Sequence, residues 1–229
     1  MPPSELIIIA VLGGIIALDK SSFMMFISEP LIICAAAGAY IGELEQGVMI
    51  GMLWQIVWMG ELPIGAVKVP DGSTGALLSA WIYLNLNDKF PQQHNILLSL
   101  SILAGILGAY FGGGFIRDKR RFHSHYMSIA DGFAMGSRPK GVESVYMIGV
   151  MEQFAFGAVF TCLVYVIFSF LASWTLSLIP FFWDGLFKYV LTGSWGLLAA
   201  ILVNQFLHRK TYAAMLLGIA AGVIFMVLL

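Results

Sequence analysis

Residues 96–116, ILLSLSILAGILGAYFGGGFI, are twenty-one consecutive positions without a charged side chain. A helix crosses the roughly 30 Å hydrocarbon layer of a bilayer in about 20 residues. It suits that layer because its backbone N–H and C=O groups are satisfied internally where no water is available. Apolar runs of comparable length recur at 142–173, 186–207 and 211–229. The whole chain is 59% hydrophobic and 11% charged, against about 25% charged for an ordinary soluble domain. Too little polar surface remains to clothe a soluble protein of this size. The sequence therefore predicts an all-α integral membrane protein, a single membrane domain over residues 1–229.

Four further apolar runs, at 5–18, 30–41, 47–60 and 73–86, are too short to cross. They are interrupted by DKSS, GELEQG and MGELPIGAVKVPDGS. Irregular backbone at membrane depth survives only where protein buries it or where it lines a cavity. In transporters, segments broken by Gly and Pro point to the binding site. The stretch Met59–Ser79 concentrates Glu61, Lys68 and Asp71 with two prolines and four glycines. Each charge would cost about 2.5–3.5 kcal/mol at the bilayer centre. Two readings fit: an aqueous loop between spans, or a re-entrant hairpin lining a hydrophilic site. Gln55, Glu61, Lys68 and Asp71, with Trp54 and Trp58 close by, supply acceptors, a donor and a stacking face. Those are the group types that a polyol requires.

Six of the twelve lysines and arginines lie between Arg117 and Lys140. The positive-inside rule makes 117–141 a cytoplasmic basic loop, mostly polar with room for a short surface helix, between a first half at 1–116 and a second at 142–229. If 142–173 and 186–207 both cross, His208–Lys210 returns to the cytoplasm, the C-terminus lies outside, and Trp183 sits in an external turn at the interface. Asp19 and Lys20 read as a mutual pair in an interfacial turn, and Ser28-Glu29-Pro30 as a helix start. Met24 and Met25, with Phe23, are also suited to a pliable cavity lining. Glu152 and Gln153 are expected to face the protein interior. The N-terminal segment lacks the basic region and cleavage site of a signal peptide and reads as a retained membrane segment.

Several function classes receive no support. With a net charge of −1 and no basic stripe interleaved with aromatics, nothing points to nucleic acid. Cys34 and Cys162 lie in apolar runs and read as inert thiols. His123 and His125 lack the further ligands a metal site needs. The glycines of GAYFGGGF lack the Lys-Ser/Thr of a phosphate loop. No nucleophile–base arrangement suggests covalent chemistry in this chain, and none of these motifs calls for a cofactor.

The block from Ser28 to Ser79 resembles the enzyme IIC subunit of the mannose/fructose/sorbose class of bacterial phosphotransferase sugar transporters. The resemblance rests on Pro30-Leu31, Ile41-Gly42-Glu43, Gly51 to Gln55, Ile64-Gly65 and Pro70-Asp71, and continues through Ala130-Asp131 and Gly136. It implies an inverted-repeat fold with re-entrant hairpins in the bacterial inner membrane. It also implies a IID membrane subunit as partner, with soluble IIA and IIB proteins carrying the phosphoryl group. By position, Gln55, Gly65 and Asp71 inherit a sugar-binding role, and the residue reading adds Glu61 and Lys68. The alternatives are a carrier of another small polar solute that works without phosphorylation, and a membrane scaffold that transports nothing.

Overall fold

The computed structural model describes residues 3–58 and 70–206. They form seven α-helices: α1 (Pro3–Leu18), α2 (Pro30–Ile41), α3 (Leu44–Trp58), α4 (Gly72–Asn87), α5 (His94–Met135), α6 (Pro139–Leu178) and α7 (Asp184–Phe206). A π-helical turn (Asp19–Phe23) follows α1, and short 3-10 turns (Pro91–Gln93 and Phe181–Trp183) precede α5 and α7. No strand occurs among the described residues. Among the described residues three helical segments are long and apolar enough to cross a membrane: Pro3–Phe23, Pro91–Ile116 and Pro139–Leu178. The first corrects the expectation that the run 5–18 is too short, because the helical backbone continues through the polar residues that end the run. Glu61, Gly65, Lys68, the segment 208–210 and the run 211–229 lie outside the described residues.

The centre of the bundle is α4. Every residue from Gly72 to Leu84 is buried, as befits a helix apolar on all sides. It packs chiefly on α5, α2 and α3. Ser79 Oγ on it donates to the carbonyl of Ser101 on α5 at 2.8 Å. α2 begins at Pro30, whose fixed φ suits the first helical position. It ends where Gly42 takes φ 95°, a left-handed conformation that glycine adopts without penalty. The α2–α3 hairpin then closes tightly, because a Cβ on Gly47 would stand 2.5 Å from the Cys34 carbonyl oxygen.

α1 runs antiparallel to α6 at equally close range. A Cβ on Gly13 would meet Thr161 Oγ1 at 2.3 Å, and one on Gly157 would meet Ala17 Cβ at 2.4 Å. Small residues permit such approach between membrane helices, where dispersion replaces the hydrophobic effect as the driving force. At the end of α1, Gln153 Nε2 donates to the carbonyl of Ala17 at 3.2 Å, so this amide faces the interior as expected. At the opposite end of the bundle, Asp184 accepts from the backbone N–H groups of Asn95 and Ile96 at 2.8 and 3.0 Å. A carboxylate thus caps the start of α5. Beside it Phe181, Phe182 and Trp183 are exposed together, as an aromatic belt at a membrane surface requires.

The reading of 117–141 as a loop is corrected as well. The segment 117–141 is helical for most of its length: α5 continues without a break to Met135, and only Gly136–Arg138 turn before α6. Lys, Arg, Asp, His and Ser end an apolar run without ending a helix, and the chain holds no proline between Pro91 and Pro139.

Candidate functional site

The described part of Met59–Ser79 is the start of α4. Asp71 stands at its N-cap, where its Oδ1 accepts from Thr74 N at 3.3 Å and its Oδ2 from Thr74 Oγ1 at 2.5 Å. An aspartate there satisfies one of the otherwise orphaned amides of the first turn. Its own N–H donates to the carbonyl of Ala109 at 2.8 Å. Ala109 precedes Ile116, the end of a membrane-crossing segment, by seven residues, or about 10 Å of helix. Asp71 therefore sits within the depth of the bundle, and only 7% of it is exposed.

A carboxylate at that depth needs a counter-charge. It is Lys20, whose ammonium forms an ion pair with Asp71 Oδ1. This corrects the expected pairing of Lys20 with Asp19. Asp19 instead accepts from the backbone N–H groups of Met25 at 2.6 Å and Ser28 at 2.8 Å. With both oxygens it holds a loop in which Met24 (φ 49°) and Phe26 (φ 61°) take left-handed conformations. Phe23, Met24, Met25 and Phe26 are all exposed. The π-turn is confirmed at the backbone, where Met24 N donates to the Asp19 carbonyl at 2.8 Å.

The loop leads straight to the second expected site residue. Gln55 Nε2 donates to Glu29 Oε2 at 2.7 Å, and Gln55 Oε1 accepts from Leu31 N at 3.2 Å. Glu29 is the N-cap residue of α2 but makes no side-chain cap there. Its carboxylate is turned to Gln55 instead. Trp54 and Trp58 stack on either side of Gln55 in sequence, with ring centroids 6.1 Å apart. A Cβ on Gly72 would lie 2.6 Å from the Trp58 ring, so that indole sits against the residue following Asp71.

The two described site residues thus contact the two ends of one stretch of chain: Asp71 pairs with Lys20, Asp19 pins the loop that follows, and that loop leads to Glu29, which holds Gln55. Lys20, Asp19 and Glu29 were not among the residues expected at the site. A signal existed, since Lys20 is the only basic residue before Lys68, and a lone charge ending an apolar helix calls for a partner. Among the described residues no three His, Cys, Asp or Glu side chains gather as a metal site.

The sequence model of the sorbose-specific IIC components of the phosphotransferase system matches residues 4–229. The chain belongs to this family. This IIC chain is 23% identical to the fructose permease IIC component of Bacillus subtilis (strain 168) over 149 residues, which are 65% of the chain and 51% of that relative. It is 35% identical to the sorbose-specific EIIC component of Klebsiella pneumoniae over 52 residues, 23% of the chain and 20% of that relative. The chain thus spans about half of the first relative's length and less of the second's. Two solved structures share the fold at 17% identity, each covering 100% of this chain, with 94% of the solved chain matched. One is described as a membrane protein, with a TM-score of 0.72. The other is the mannose transporter ManYZ in complex with microcin E492, with a TM-score of 0.59. Both agree with an all-helical membrane architecture.

Proposed function

We propose that this IIC chain is the sugar-translocating subunit of a phosphoenolpyruvate-dependent system, a multi-pass protein of the bacterial cytoplasmic membrane. It works beside a IID membrane subunit and hands its sugar, at the cytoplasmic face, to a soluble IIB protein charged by IIA. The basic segment 117–140 faces the cytoplasm, and Gln55, Glu61, Gly65, Lys68 and Asp71 line the sugar site. The two halves of the fold are related as inverted repeats.

The observation that carries this reading is Asp71: a buried carboxylate at the N-cap of α4, bonded to a segment of α5 long and apolar enough to cross a membrane, in a chain of the sorbose-type IIC family. Asp71, Thr74 and Lys20 together offer acceptors and donors that suit a hydroxylated solute. The pairing with Lys20 sets the two opposite charges against each other as a unit. That the fold is shared with a mannose transporter supports the substrate class, and that transporter's two-letter subunit name, ManYZ, accords with a second membrane chain. The test is to tag the chain, extract it gently from its native membrane and identify its companions. A IID-like polypeptide in stoichiometric amount is expected. Recovery of the chain alone would favour a carrier independent of the phosphotransferase system.

A further inference from the structure

Lys20 has no role in the site deduced from the sequence. We infer that it is a substrate-binding residue in its own right, forming with Asp71 a clamp for two neighbouring hydroxyl groups of the sugar; this rests on the sugar reading above.

The first argument is a count of hydrogen-bonding capacity. A carboxylate offers about four acceptor positions. Asp71 uses three, for Lys20, Thr74 N and Thr74 Oγ1. An ammonium carries three donors, and Asp71 takes one of those of Lys20. The intact pair can therefore still accept one hydrogen bond and donate others. Adjacent hydroxyls on a pyranose or furanose ring stand about as far apart as two hydrogen-bonded atoms. One can donate to the carboxylate while its neighbour accepts from the ammonium, and the ion pair need not break.

The second argument is access. The Lys20 side chain is 34% exposed and that of Asp71 only 8%, so the pair opens towards its lysine side. Behind Asp71 there is no room, because a Cβ on Gly112 would lie 2.9 Å from Asp71 Cβ. The third is local backbone. Lys20 lies within a π-turn, a rare distortion frequent at functional sites, and Asp19 fixes the loop that follows. This scaffolding holds the ammonium in place before substrate arrives, which lowers the entropy lost on binding. A lysine that merely neutralised Asp71 would need none of it.

The test uses the complex purified from its native membrane. D-mannose, D-fructose, L-sorbose and N-acetyl-D-galactosamine are titrated calorimetrically, and monodeoxy forms of the best binder are then compared on wild type, Lys20→Met and Lys20→Arg. Lys20→Met is expected to weaken the parent sugar about tenfold to a hundredfold. One deoxy analogue, lacking the hydroxyl opposite Lys20, should bind wild type and Lys20→Met equally, while the others retain the difference. If Lys20→Met does not fold, the same selective pattern is read on Lys20→Arg. A loss equal for every analogue, or no loss, overturns the clamp. Failure of wild type to bind any of the four sugars removes the sugar reading itself, a result distinct from a uniform loss.

Discussion

Asp71 carries two duties at once, as cap of α4 and as the buried, anionic half of its pair with Lys20. They can be separated. Asparagine caps as well as aspartate but cannot neutralise Lys20. Asp71→Asn should therefore lose sugar binding with a small fall in thermal stability. Asp71→Ala should lose binding together with about 1 kcal/mol more stability, the usual worth of a cap; melting of the purified complex measures both. At Gln55 the amide is the point. Gln55→Glu would set a second carboxylate against Glu29, 2.7 Å from the present Nε2, and remove that donor. We expect weaker sugar binding and a lower melting temperature, whereas Gln55 and Glu29 exchanged in a double variant should recover part of the stability.

At the scale of the element, the membrane helices are fitted by close contact as much as by hydropathy. Gly157→Val should disrupt the α1–α6 seam, because its Cβ would overlap Ala17, and size-exclusion profiles should show aggregation. Gly196→Ala on α7 meets nothing within 4 Å and should leave the profile unchanged. The apolar runs located the helices well, from α2 between Pro30 and Ile41 to the long α6. Hydropathy reports where a segment meets lipid, however, and not where its hydrogen bonding ends. That is why α5 was expected to stop near Ile116, although nothing before Gly136 breaks it. The site was half legible for a different reason. Gln55 and Asp71 stand out as polar residues in apolar surroundings. Their partners Glu29 and Lys20 are 26 and 51 residues away, and a single sequence holds no rule for pairing charges over such distances. Lys20 was assigned to its neighbour Asp19 because adjacency was the only geometry available.

The molecule as a whole is a helical wall around α4, with its apolar side chains on the outside as well as within. Phe170, Val159 and Leu163 on α6 are exposed, as a surface that faces lipid or another membrane subunit must be. Within the bundle Asp71 pairs with Lys20 at the end of α1, and Gln55 on α3 with Glu29 at the start of α2. In a chain whose Cys34 and Cys162 are replaced by alanine, Ser137→Cys in the α5–α6 turn should react with an impermeant maleimide only in inside-out vesicles if the basic segment is cytoplasmic.

The central claim is that Asp71 belongs to a sugar site feeding a phosphotransferase reaction. Its most direct test is sugar phosphorylation in inside-out vesicles containing the complex, supplied with phosphoenolpyruvate and the soluble phosphocarriers, for wild type and Asp71→Asn. The account predicts sugar phosphate from wild-type vesicles and a loss of at least tenfold with Asp71→Asn at unchanged complex abundance. Wild-type rates from Asp71→Asn would contradict it.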